Sequence, residues 1–325
     1  MRAAVYSSKG PAAEVLRIEQ RPVPEPGPGE VRIRVAFSGV NPSDVKSRSG
    51  VSARPSAWAE TIPHSDGSGV VESLGPGAPP ALLGRRVWMF NAQWERASGS
   101  AAEFVALPAA QVVALPDGVS LEVGASIGIP LMTAFHAVQA CGSLLGRNVF
   151  VPGAAGSVGF YAVQLARLAG ARVIASVSSD AKAALARAAG AAEVVNYRSE
   201  DLVARVRQLT GGQGADAIID LDAASHAPLY GQLLRFAGRA VIYGSNRPQI
   251  GIPFGPSIIN FVSLYFFMVY RLPEPLLGET ITGVTRLLEA GSLQHPALAV
   301  FDLEQIVQAH ERVERGADAK VLLRL

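Results

Sequence analysis

Residues 30–37 alternate polar and apolar side chains, the period of a strand with one buried face. Just before them, prolines at 22, 24, 26 and 28 exclude both helix and central strand. Residues 69–75, 86–90 and 102–107 read as further short strands between turn residues, and such punctuation predicts a small barrel. The texture changes near Leu115-Pro116-Asp117-Gly118, where a helix-rich stretch begins. An apolar strand at 148–151 then leads through a glycine turn at 153–159 into a helix over 158–169. Apolar residues there keep helical spacing at Val158, Ala162, Leu165 and Ala169, and Gly170 ends the helix. Residues 172–177 form an uninterrupted apolar strand, followed by a helix over 180–189 that Gly190 closes. Later strands are predicted at 193–197, 215–221 and 239–243, with helices at 201–209 and 226–236. Continuous apolar strands alternating with helices predict a doubly wound parallel sheet. The tail reads as a strand at 261–270, helices at 280–290 and 303–314, and a strand at 320–325 expected to return to the β-rich first third.

The chain has 325 residues, and about 150 residues per domain predicts two. We expect an α/β protein with residues 119–270 forming the parallel-sheet domain and residues 1–118 with 271–325 forming the barrel domain. Hydrophobic residues at 49% and charged residues at 17% exclude a disordered chain. A net charge of +2 speaks against a nucleic-acid partner. The single cysteine, Cys141, excludes a disulfide framework and a multi-cysteine zinc site. The most apolar run, 261–270, is too short for a membrane span, which needs about 20 residues. No signal segment follows Met1, so a soluble cytoplasmic protein without a membrane partner is expected.

Residues 153–159, Gly-Ala-Ala-Gly-Ser-Val-Gly, stand where a dinucleotide-binding turn belongs, between strand and helix. Gly156 lets the backbone approach a pyrophosphate, and Gly159 lets the helix pack close to the strand. Ala154 takes the place of the usual first glycine. A structural turn serving packing alone is the competing reading. NAD sites put a carboxylate at the tip of the next strand, about 20 residues on. Here that strand ends Ser176-Val177-Ser178-Ser179. Asp180 reads as the cap of the following helix. Lys182 lies in the first turn, where a cation opposes the helix dipole unless it answers a phosphate. Ser178 and Lys182 are therefore expected to bind a 2′-phosphate, which selects NADPH.

These segments resemble the zinc-free quinone oxidoreductase branch of the medium-chain dehydrogenase/reductase superfamily, the zeta-crystallin-like NADPH:quinone reductases. The resemblance rests on Gly39-Val40-Asn41-Pro42-Ser43-Asp44, Asp66-Gly67-Ser68-Gly69-Val70-Val71, the glycine turn, Val194-Val195-Asn196-Tyr197-Arg198, Ala309-His310-Glu311 and Lys320-Val321-Leu322-Leu323. It implies a GroES-like partial barrel plus a Rossmann domain, with the active site in the cleft between them. It implies NADPH held by Ala155, Gly156, Ser157 and Val158 of the glycine turn, by Lys182, and by Tyr197 near the 2′-phosphate. It places Thr133, Gly244, Ser245, Phe267 and Val269 at the nicotinamide. It also implies a homodimer through Rossmann edge strands, a role the apolar stretch 261–270 fits. Zinc relatives carry Cys at the position of Asn41 and His-Glu at Ser65-Asp66, so zinc is not expected. His64, usually glycine in relatives, is expected to be a surface or loop histidine.

Hydride transfer to a conjugated carbonyl leaves an oxyanion that needs donors and a proton. Asn41 and Lys46 are expected to serve that oxygen, with Asp44 positioning them or lining the cleft. Helix capping by Asn41-Pro42-Ser43-Asp44 is a competing and compatible reading. The expected substrate is a quinone. The alternatives are an enone or alkenal reduced at its C=C bond, or an NADPH-binding redox sensor or structural protein with little turnover.

Overall fold

The computed structural model describes residues 1–51, 58–316 and 318–325. Strand β1 (Arg2–Val5) pairs antiparallel with β2 (Arg17–Gln20) around the short helix α1 (Ala12–Val15). The alternating stretch becomes β3 (Glu30–Gly39), which ends at helix α2 (Pro42–Ser49). Strands β4 (Asp66–Leu74), β5 (Arg86–Met89), β6 (Phe104–Pro108) and β7 (Val112–Ala114) follow, then the long helix α3 (Leu121–Ala140). The chain continues through β8 (Asn148–Pro152), α4 (Ser157–Leu168), β9 (Arg172–Val177), α5 (Asp180–Ala188), β10 (Glu193–Asn196), α6 (Leu202–Leu209) and β11 (Ala215–Asp220). Next come the short helices α7 (Ala223–His226) and α8 (Tyr230–Leu233), then β12 (Leu234–Ile242), α9 (Phe254–Ile259) and β13 (Ser263–Phe266). Helix α10 (Leu276–Glu289), β14 (Leu298–Asp302), α11 (Ile306–Glu314) and β15 (Lys320–Arg324) complete it.

Two compact units result: Met1–Ile129 with Thr285–Leu325, and Pro130–Val284. Both boundaries fall inside helices, α3 and α10, whereas the sequence places them at 118/119 and 270/271. At the first, Pro130 lacks the N–H that would continue the hydrogen-bond ladder of α3. The most apolar 18-residue window of α3 would satisfy the length and composition of a membrane span, yet 78% of it is buried within the protein, so it is a core helix.

The first unit holds a seven-stranded sheet in the order β14-β15-β3-β4-β5-β7, with β6 also on β3. Every pair is antiparallel except β14 with β15. Strand β15 lies along Phe37–Gly39 of β3 as the sequence anticipates. Val31, Ile33, Val71, Val87 and Leu107 fill the core on one face. The second unit holds a six-stranded, all-parallel sheet in the order β10-β9-β8-β11-β12-β13. Numbered within the sheet, that is 3-2-1-4-5-6, the Rossmann order, whose reversal point lies beside β8.

Two elements differ from expectation. The helix predicted over 226–236 stops at Leu233, because Leu234 already pairs with Ala215 as the start of β12. The apolar stretch 261–270 supplies only the four residues of β13; the backbone then turns, and Val269 is buried.

Candidate active site

In the second unit the chain leaves β8 through Gly153, whose φ of +63° favours glycine. A Cβ on Gly159 would lie 2.4 Å from the Gly153 carbonyl oxygen and 2.8 Å from the Ala154 Cα, so α4 approaches the turn as closely as backbone allows. Gly156 caps α4 with no side-chain acceptor, which leaves the N–H groups of Ser157 and Val158 for an anionic ligand. Ala155 lies within the same turn. At the tip of β9, Tyr197 donates its N–H to the Val177 carbonyl at 3.1 Å. Ser179 caps α5 through its Oγ, so Asp180 is the first helical residue, and the sequence assignment of Asp180 as the cap is corrected. Ser178 and Lys182 are half-buried, Tyr197 is exposed, and Lys182 joins no ion pair among the described residues. Two potential ligands and one cation thus surround the strand tip, with no carboxylate on the strand itself.

A pocket of about 510 Å³ opens in the same unit, lined by Tyr243, Gly244, Ser245, Arg247 and Phe267 among others. A Cβ on Gly244 would fall 2.3 Å from the Leu221 carbonyl oxygen, so only glycine fits between β11 and β12 there. Phe267 stands edge-on to His136, with ring centroids 4.7 Å apart. Thr133 and Val269, also expected at the nicotinamide, are buried and do not line this pocket.

The first unit gathers a buried polar cluster at the end of β3. Asn41 is 3% exposed and Asp44 is 6% exposed, while Asp66 is fully enclosed. Asn41 Nδ2 donates to Asp66 Oδ2 at 2.8 Å. Asn41 N donates to Asp44 Oδ2 at 2.7 Å, capping α2. Lys320 Nζ donates to Asn41 Oδ1 at 2.6 Å, to the Val40 carbonyl at 3.2 Å and to Asp66 Oδ2 at 3.4 Å. The amide expected to face a substrate oxygen is therefore committed inside the protein. Lys46, by contrast, stands exposed on α2.

Asp66 accepts from Asn41, Lys320 and the Ile129 N–H, so all its contacts are donors, which favour the carboxylate against the burial that pushes its carboxyl up. Three oxygen acceptors around Lys320 match the three donors of an ammonium and, with the Asp66 charge, oppose the burial that pushes its amine down. Burial, then the Asp66 charge, push the Asp44 carboxyl up to about 7. A carboxyl raised on folding stabilises the protein below its ordinary range and loses that contribution as pH rises to the folded value. At about 1.4 kcal/mol per pH unit, up to about 4 kcal/mol disappears between about pH 4 and pH 7. Asp44→Asn should therefore gain thermal stability relative to the parent as pH climbs from 4 to 8. A melting-temperature difference that stays flat across that range refutes the buried carboxyl.

His64, expected at the surface or in a loop, is a loop residue, but it is fully buried at φ +78°. Its interior bonds explain the left-handed backbone. Ser100 Oγ donates to the Asp66 carbonyl, so Ser38 must donate to Ser100 at 2.8 Å and accept from His64 Nδ1 at 2.8 Å. His310 Nε2 then donates to His64 Nε2 at 2.9 Å. Burial keeps both rings neutral, His310 pushed down to about 3. Lys320, Asp66 and His310 lie in separate sequence motifs, and only the fold joins them to Asn41 and His64.

Residues 27–117 match the alcohol dehydrogenase GroES-like domain family, and residues 157–289 match the zinc-binding dehydrogenase family. The human quinone oxidoreductase is 30% identical over 323 residues, spanning 98% of this chain and 95% of that protein. The chain belongs to the quinone oxidoreductase branch of the medium-chain dehydrogenase/reductase superfamily. Among solved structures, an NAD-dependent alcohol dehydrogenase is 32% identical with a TM-score of 0.88, covering 100% of both chains. Mycobacterial Rv1454c complexed with NADPH is 28% identical with a TM-score of 0.89, again over 100% of both. A dinucleotide fits the second unit, where any side chain on Gly159 would close the cradle. Catalytic zinc does not fit the first. No group of three or more His, Cys, Asp and Glu placed to hold a metal ion occurs among the described residues, and both Asp66 oxygens are already bonded.

Proposed function

We propose that this chain is a zinc-independent, NADPH-dependent reductase of quinones. The observation that carries the reading is the tip of β9, which offers Lys182, Ser178 and Tyr197 and lacks the carboxylate that a ribose 2′-OH requires. Ala155, Gly156, Ser157 and Val158 receive the pyrophosphate on the N-terminus of α4. Gly244, Ser245 and Phe267 form the nicotinamide side, with Thr133 and Val269 buried behind it. Bound NADPH supplies a hydride. Lys46 stabilises the oxyanion that forms on the substrate, and Asp44 supplies its proton. Asn41 holds both by fixing the start of α2. Anaerobic NADPH oxidation with a naphthoquinone and an enone run side by side, NADH as control, tests the reading. Turnover on the quinone is expected. Turnover on the enone alone would make the chain a C=C reductase, and NADPH binding without turnover on either would make it a sensor or structural protein.

The chain also works as a homodimer in this proposal. Strand β13 is an open sheet edge, and Phe261, Phe266 and Ile259 beside it are 67%, 57% and 71% exposed. A second copy buries them. Phe261→Asp with Phe266→Asp should sediment as a monomer, and an intact dimer would refute the edge-strand interface.

A further inference from the structure

Lys320 and Asp66 are a buried ion pair with no assigned task. The ammonium sits between two carboxylates, on Asp66 directly and on Asp44 through Asn41. All four side chains are buried. With Lys320 and Asp66 both ionised, the forms their hydrogen bonds favour, the cluster is neutral when Asp44 carries a proton and holds an uncompensated negative charge when it does not. Such a charge is costly without water. The other groups around Asp44 do not supply the missing cation. Tyr6, just past β1, is a buried phenol. On α2 itself, Arg48 is paired with Glu314 of α11, the helix packed against it, and His310 of α11 is neutral.

We propose that Lys320 and Asp66 are positioning residues of the reductase: together they set the charge and the place of Asp44, and so govern the proton step. Lys320 fixes the place. It takes Asn41 Oδ1, which turns Nδ2 toward Asp66, and the Asn41 backbone then holds the Asp44 carboxyl at the start of α2. The pair also fixes the charge, because the cation favours ionised Asp44 and the neighbouring carboxylate opposes it. When a substrate accepts a hydride, the electron pair comes to rest on its oxygen. One proton passes from Asp44 to that oxyanion, and Asp44, 6% exposed where Asp66 and Lys320 are sealed, regains a proton from solvent at that edge. This inference rests on the proposed role of Asp44 in quinone reduction.

Two variants must push Asp44 in opposite directions, which general damage would not do. The Asp44 carboxyl is followed by ¹³C NMR in aspartate-labelled protein, its resonance assigned as the one absent from Asp44→Asn. Lys320→Met should raise the midpoint by about one pH unit, a tenfold change in proton occupancy, and Asp66→Asn should lower it similarly. Lys320→Arg should stay within about half a pH unit of the parent. The high-pH limb of kcat/KM for naphthoquinone reduction should move in the same sense. Shifts in one direction, or none in folded variants, overturn the proposal. If Lys320→Met does not fold, the downward shift in Asp66→Asn and the parental midpoint in Lys320→Arg decide it. Midpoints that move while the rate limb stays fixed overturn the link to the proton step, and with it the role of Asp44, while quinone turnover stands. A parent protein inert toward quinone and enone fails the reductase reading instead, and the same NMR midpoints still judge the pair.

Discussion

Gly159→Val should abolish measurable NADPH binding and destabilise the second unit. The new Cβ would lie 2.4 Å from the Gly153 carbonyl oxygen, and that neighbour is backbone with no rotamer to change. Either α4 moves out from β8 or the turn opens, at a cost of roughly 3 kcal/mol. Both movements draw the Ser157 and Val158 N–H groups away from a phosphate. Gly156→Ala separates packing from binding. Its Cβ would meet the Gly153 oxygen at 3.3 Å, a contact the turn accommodates with a small shift. A methyl at this position of the turn removes the bare backbone that a pyrophosphate approaches. Gly156→Ala should therefore melt within a few degrees of the parent, while cofactor fluorescence titration shows affinity reduced by about tenfold or more. Unchanged affinity in Gly156→Ala would make the turn a packing device only.

Lys182→Ala should cost NADPH about 10- to 100-fold in affinity, the worth of one hydrogen bond to a charged group, with NADH within about twofold. The side chain sits in the first turn of α5, beside a cap that Ser179 already supplies, so its removal does not unmake the helix. Removing a cation from a helix N-terminus favours the fold slightly. A melting temperature at or above the parental value, with the NADPH preference lost, is the expected pair of results. Equal loss for both cofactors in a two-nucleotide titration refutes a 2′-phosphate contact.

The parallel sheet was the most legible part of the sequence. Strands buried on both faces are apolar throughout, and β8, β9 and β11 fall within a residue or two of expectation. The weaker elements were hidden by their exposure. Strand β14 reads Leu-Ala-Val-Phe-Asp, a four-residue apolar run that is nowhere fully buried and too short to announce a strand, and β2 reads Arg-Ile-Glu-Gln, which carries no apolar signature. Around 226–236, Leu229, Leu233 and Phe236 keep helical spacing, yet Ala237 adopts φ +57° within a strand. There tertiary pairing overrode the local pattern. The motif 41–44 was visible as a helix cap. Its partners were not, since Lys320 reaches Asn41 from 279 residues away and His310 reaches His64 from 246. No local window holds those pairs; the antiparallel addition of β15 to β3 creates the first of them.

The interrupted course of the first unit has a consequence for the order of synthesis. Residues 130–284 are one continuous stretch lying between its two parts. A ribosome therefore delivers all of the second unit before it delivers β15. Until then, Phe37, Ser38 and Gly39 present an open sheet edge, the kind of surface that recruits foreign strands. The carboxylate of Asp66 waits too, for a counter-charge 254 residues behind it. The nascent first unit is thus the dependent partner, with an incomplete sheet and an unneutralised interior, and its protection during that interval falls to the rest of the cell.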